Sequence, residues 1–150
     1  MTLPNLDAFK ASPFGQETRI DDIVDSFEFL DDWEDRYAYI IDLGKSLPEF
    51  PESEKREENY VHGCQSQVWL IHQEDPADGK IYLMIDSDAI IVKGLAAVVL
   101  ATLNAKTKAE IQALDVEAAF EQLDLMRHIS PTRGNGLRAM IELIKKIAHS

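Results

Sequence analysis

From Ile20 the apolar residues fall at Ile20, Ile23, Val24, Phe27, Leu30, Trp33, Tyr37, Ile40 and Ile41. Steps of three and four place them on one face of an amphipathic helix. Asp31-Asp32 is expected to divide that run, with Asp32 capping a second helix. Glu34 and Asp35 then lie in a first turn where the helix dipole favours negative charge. Gly44 suits the C-terminal cap. Upstream, residues 1–19 hold Pro4, Pro13 and Gly15 and show no clear period, so a loosely ordered lead-in is expected.

The pattern changes after a polar loop at 48–59, which carries Pro48 and Pro51 and alternating acids and bases. Val68 to His72 predicts a strand, Asp75-Pro76-Ala77-Asp78-Gly79 a tight turn, and Lys80 to Asp86 the returning strand. Ile81, Leu83 and Ile85 share one face of that second strand, with Tyr82 and Met84 on the other. Tyr60-Val61 is a candidate third strand. Ser87 or Asp88 can cap the next helix, whose residues Ile90 to Leu103 are apolar on nearly every side and predict a central buried helix. Thr107-Lys108-Ala109-Glu110 matches a capping box, and Asp115 starts a further helix. A loop with Ser130-Pro131-Thr132-Arg133-Gly134-Asn135-Gly136 is expected before the last helix, whose apolar face is Leu137, Met140, Ile141, Ile144 and Ile147. The fold class is α+β: a small antiparallel sheet packed against several helices, in a single domain over 1–150.

At 150 residues and 45% hydrophobic, the chain can bury a core without disulfide staples. Net charge is −12, and residues 1–62 hold 16 acidic against 6 basic side chains. That balance argues against a nucleic-acid partner, which would require a basic footprint. No apolar run reaches membrane-spanning length, and the N-terminus lacks the basic-then-apolar order of a secretory signal. The single unpaired cysteine favours a reducing compartment. A cytoplasmic location is expected, with no membrane partner.

The chemistry centres on that cysteine, Cys64. A lone thiol forms no internal disulfide and is too little for a thiolate metal cage. His62, His72 and His128 add no recognisable ligand spacing, so no metal is expected. A cysteine hydrolase would pair Cys64 with a base such as His128, a pairing that spacing does not reveal. No Walker or Rossmann glycine loop is present. Free cysteines are often buried and inert, and the flanking Gly63 and Gln65-Ser66-Gln67 argue for the opposite here.

Gly63-Cys64-Gln65-Ser66-Gln67-Val68-Trp69 resembles the active-site segment of the SufE-type sulfur-acceptor proteins. Three further segments agree in order: Trp33-Glu34-Asp35-Arg36-Tyr37 with Ile40-Ile41-Asp42-Leu43-Gly44, Asp86-Ser87-Asp88 with Ile91-Val92-Lys93-Gly94-Leu95, and Ser130-Pro131-Thr132-Arg133 with Gly136-Leu137. The resemblance covers roughly residues 20–148. It implies a fold related to the IscU-type scaffolds, and Cys64 matches the acceptor that carries sulfane sulfur as a persulfide. It further implies stimulation of a cysteine desulfurase (SufS-like or CsdA-like) and delivery to an iron–sulfur scaffold complex. Pyridoxal phosphate belongs to the desulfurase, so no cofactor is expected on this chain, which acts as a transfer partner rather than a stand-alone enzyme. Gly63, Gln65, Ser66, Asp88 and Arg133 are the candidate partner-binding residues. Arg133 fits an anion-stabilising role and a surface role equally, and an N-cap role alone would explain Asp88. The alternatives are a docking-only activator that carries no sulfur and an independent thiol enzyme. Monomer and homodimer are both compatible.

Overall fold

A computed structural model describes residues 5–64 and 66–150. Its centre is the hairpin β1 (Val68–Glu74) and β2 (Lys80–Ser87), paired antiparallel with Leu70 opposite Ile85 and His72 opposite Leu83. Asp75 shapes the turn by accepting from Ala77 N–H at 2.9 Å, and Gly79 closes it at φ +70°. The third strand is not Tyr60-Val61, which contributes one bridge to Trp69; it is β3 (Lys106–Thr107), paired with the start of β2. Two residues carry no readable alternation, which is why the sequence hides this strand.

Four helices build the main layer on the face of Ile81, Leu83 and Ile85. They are α2 (Ile20–Glu28), α3 (Trp33–Lys45), α4 (Ile90–Leu103) and α8 (Pro131–Ala148). The expected break between α2 and α3 is present, with the Asp32 carboxylate accepting from Asp35 N–H at 2.8 Å. The buried helix α4 lies at the middle, and every residue from Gly94 to Leu103 is buried. Its first residue, Ile90, departs from the all-round burial and faces solvent. The short helices α5 (Lys108–Ala113), α6 (Val116–Leu123) and α7 (Leu125–His128) connect α4 to α8. The capping box at α5 forms as expected, Thr107 N–H donating to Glu110 and Glu110 N–H to the Thr107 hydroxyl.

The other face of the hairpin is buried too. Phe9 of α1 (Leu6–Lys10) and Phe50 close over Ile71, Tyr82 and Met84. Where the sequence suggests a loosely ordered lead-in, residues 5–19 therefore hold a helix, with Phe9 and Phe14 both buried. A five-residue helix is too short to display a period, and the two phenylalanines are the signal that mattered.

Gly44 also departs from expectation. It is buried inside α3 one position before its last residue, Lys45, and it packs on Gly94 of α4. The glycine is there for close helix approach, and the cap falls at Ser46.

Candidate functional site

The loop bearing Cys64 leaves the sheet at Val61 and returns at Val68, and the Val61 N–H donates to the Val68 carbonyl at 2.8 Å. Its approach is fixed by a buried carboxylate: Glu54 accepts from Arg56 and Asn59. Lys55 meanwhile pairs with Asp86 at 3.2 Å and sits over the Trp69 ring. Gly63 turns the chain with φ +98°, a region that side chains rarely adopt. The loop's exit is held by Asp88, whose carboxylate accepts from Gln67 N–H at 3.0 Å while its own N–H donates to Gln67. Neither Asp88 nor Ser87 is the α4 N-cap; that position is Ala89, and the Ser87 hydroxyl accepts the Ala89 N–H.

Cys64 is half-buried, with Sγ 3.7 Å from the carbonyl oxygen of Gly136. It faces a cavity of about 320 Å³. Val92 and Leu95 from α4 and Leu137 and Met140 from α8 give the cavity an apolar wall. Ser66, Ser130, Thr132 and Arg133 give it a polar rim. This site exists because α8 begins earlier than the loop expected before it. Ser130 is its N-cap, accepting from Arg133 N–H at 3.3 Å, and Pro131 sits in the first turn. Thr132, Arg133 and Gly136 are therefore helical residues presented to Cys64, and Gly134 and Gly136 are not loop residues. The readable signal was Ser130-Pro131, an N-cap followed by proline at N1.

Burial pushes the Cys64 thiol above its ordinary value. Burial against the apolar wall therefore favours the neutral thiol over the reactive thiolate. Arg133 is exposed at the rim, and among the described residues no carboxylate pairs with it. It is available to an anion that forms or arrives there.

Of the residues singled out in the sequence, Cys64, Ser66 and Arg133 meet at this cavity. Gly63 and Asp88 shape the loop, and Gln65 lies outside the described residues. The histidines do not converge: His62 pairs with Glu57, His72 lies on β1, and His128 stacks on Trp33 with ring centroids 4.0 Å apart. Among the described residues no group of three or more His, Cys, Asp or Glu is placed to hold a metal ion. None of the described helices is long and apolar enough to cross a membrane.

The sequence matches the family model described as SufE, an Fe–S metabolism associated domain, over residues 21–148. The chain belongs to the SufE family. It is 49% identical over 131 residues to an uncharacterized SufE-like protein of Rhizobium etli, covering 86% of this chain and 88% of that one. A second uncharacterized SufE-like protein, from Rhizobium meliloti, is 48% identical over 133 residues, covering 87% and 95%. The fold is shared with the solution structure of a hypothetical protein from Thermus thermophilus. That match has a TM-score of 0.69 and 19% identity, and covers 87% of this chain and 93% of that one. Family membership places the chain in iron–sulfur metabolism.

A Cβ added at Gly136 would lie 3.2 Å from Cys64 Sγ and 3.6 Å from its Cβ. Gly136→Ala is therefore expected to displace the thiol while retaining the helix, since alanine is the better helix former by about 1 kcal/mol. Alkylation of Cys64 by iodoacetamide at about pH 7 should accelerate several-fold relative to the wild type. In the wild type the rate should keep climbing above the pH at which a free thiol has ionised. An unchanged alkylation rate in the variant would show that Gly136 does not control the thiol's seat.

Proposed function

We propose that this SufE-family protein accepts sulfane sulfur from a cysteine desulfurase on Cys64 and delivers it to iron–sulfur cluster assembly. The observation that carries this reading is the cavity in front of Sγ, with its apolar wall and cationic rim. In the transfer, the Cys64 thiolate attacks the outer sulfur of the donor's persulfide. The donor S–S bond breaks, its electron pair leaves on the donor thiolate, and a new S–S bond joins Cys64 to the transferred sulfur. No net oxidant is consumed. The pocket is many times the roughly 30 Å³ that a water molecule occupies in the liquid, so one added sulfur atom fits without moving the wall.

Sheltering and transfer impose opposite demands. The apolar wall that protects a persulfide also holds the thiol protonated, so docking has to bring Cys64 into more polar surroundings before it can attack. The loop is suited to this, being tied at its ends by Val68 and Asp88 while, among the described residues, Sγ itself makes one weak hydrogen bond. The test is mass measurement after incubation with a desulfurase and cysteine: one reductant-labile sulfur atom is expected on the Cys64 peptide. Stimulated desulfurase turnover with no sulfur on Cys64 would replace this reading with that of a docking-only activator.

Arg133→Ala is expected to weaken desulfurase stimulation several-fold at near-native stability. The side chain is exposed, and removing such a group shifts stability by about half a kcal/mol or less. A charge-assisted contact made on transfer contributes on the order of 1.5–3 kcal/mol, enough to separate the two roles. Unchanged stimulation would make Arg133 a surface residue, and a collapsed melting temperature would make it a folding residue.

A further inference from the structure

At the end of β2 and α4 remote from Cys64, Asn104 is fully buried. It accepts from Leu83 N–H at 2.7 Å and donates to the Phe14 carbonyl at 2.9 Å, locking the segment before α2 to the sheet. Gly15 follows with φ +80°, and a Cβ there would run into the Asn104 carbonyl. Ala105, on the other side of Asn104, has φ +58°, a conformation rare for a residue with a side chain. Such strain persists only where surrounding structure imposes it. Gly15 and Ala105 both lie in the wall of an open cavity of about 400 Å³.

Three cations line that cavity: Arg19, Lys80 and Lys106. Among the described residues none of the three has a carboxylate within ion-pair distance, although the chain carries 27 acidic side chains against 15 basic ones. Arg19 Nε donates to the Gln16 carbonyl at 3.3 Å, which leaves the two terminal nitrogens of its guanidinium. Most lysines other than Lys80 and Lys106 have found an acidic partner or a backbone carbonyl. Two glutamates also line the cavity: Glu17, which is exposed, and Glu110, which accepts from the Thr107 amide. That bond and the Thr107 hydroxyl hold its carboxyl below the usual range, with Lys106 and Lys80 adding to the effect. The fields of both lysines therefore reach into the same space.

We propose that this cavity binds a small multivalent oxyanion of the phosphate type. Arg19 would supply a planar fork for two oxygens, and Lys80 and Lys106 would act as point charges. The volume falls in the range of small-molecule sites and leaves room for more than one phosphate group. Lys80 opens β2 and Ser87 closes it beside the Cys64 loop, so roughly 23 Å of strand separates this site from the sulfur site. The two sites share no lining residue: α4 lines the Cys64 cavity through Val92 and Leu95, and β2 lines this one through Lys80.

The experiment titrates inorganic pyrophosphate, and citrate separately, into the full chain while backbone amide shifts are recorded. Pyrophosphate should give saturable shifts at residues 15–19, 80 and 105–110 with a Kd of about 1 mM or tighter. Lys80→Gln with Lys106→Gln should weaken binding at least about tenfold. Lys45→Gln with Lys146→Gln, which removes the same charge elsewhere, should leave it within about twofold. Citrate binding as tight as pyrophosphate would overturn the phosphate class, and markedly weaker citrate binding would support it. Absence of saturation, or shifts centred on the Cys64 cavity, would overturn the site. If the double lysine variant fails to fold, the location of the wild-type shifts still decides. Because no desulfurase is present, the outcome is independent of the sulfur-transfer proposal.

Discussion

A Cys64→Ser protein is expected to fold, to bind a cysteine desulfurase with wild-type affinity, and to take up no sulfur at all. The substitution changes one atom. Among the described residues Sγ makes a single weak hydrogen bond, to the Gly136 carbonyl at 3.7 Å, and a serine hydroxyl can donate to the same oxygen. The cost to stability is therefore about 1 kcal/mol or less. The chemical cost is total: no other cysteine exists in the chain, and a serine hydroxyl has no sulfur with which to form the S–S bond of a persulfide. Uptake of radiolabelled sulfur from cysteine, read on the isolated protein, should fall to background. Binding read by calorimetry should change less than about threefold, since no ion pair or large apolar surface is lost. Retained uptake would end the carrier reading. Lost uptake together with full stimulation of desulfurase turnover would divide the two activities, leaving docking alone to stimulate.

Much of the fold was legible because it is written in local chemistry. Asp32 marks the break between α2 and α3, the turn at 75–79 sets the hairpin, and Thr107 with Glu110 announces α5. Each signal lies within a few residues of its effect. The misreadings share the opposite property. Gly44 looks like a helix end until its distant neighbour Gly94 is seen against it. The third strand is two residues long and is recruited by β2. Phe9 and Phe14 look like isolated apolar residues, and only the second buried face of the hairpin and the lock at Asn104 explain them.

The candidate site divides in the same way. Cys64, Ser66 and Arg133 stand out through the family resemblance, and the structure brings all three to one cavity. Val92, Leu95, Leu137 and Met140 form the wall but look like ordinary core in sequence, because their helical spacing is satisfied by either role. Gly136 is the residue sequence reasoning placed wrongly. Its small size matters to a thiol 72 positions away, and no local pattern encodes that.

Gly94→Ala should be the most destabilising single-methyl change in the helical layer, and Gly134→Ala should have the opposite sign. Both glycines lie inside helices, where alanine is favoured by about 1 kcal/mol. At Gly94 that preference is overruled. The added Cβ would fall within the van der Waals shell of the Ile40 carbonyl oxygen and 2.8 Å from the Ile40 carbonyl carbon. Backbone cannot rotate away as a side chain does, so α3 and α4 must separate. Gly44 faces the same contact, with its own Cβ position 2.8 Å from Gly94 N. Overpacking of this kind costs typically about 1–3 kcal/mol, and here it strikes the most buried helix of the fold. Because the clash is with backbone, the upper end of that range applies, and after the helix preference a net loss of about 2 kcal/mol should lower the melting temperature by roughly 4–8 °C. Because α4 also carries Val92 and Leu95, the shift should reach the cavity wall and raise the alkylation rate of Cys64. At Gly134 the new Cβ meets only Met126 Cε at 3.1 Å, the far end of a flexible side chain. There the helix preference should prevail, and the melting temperature should rise by about 2–4 °C. Thermal unfolding of the two variants side by side decides the matter. Equal shifts of the same sign would mean that the α3–α4 contact at Gly94 does not limit how closely these helices pack.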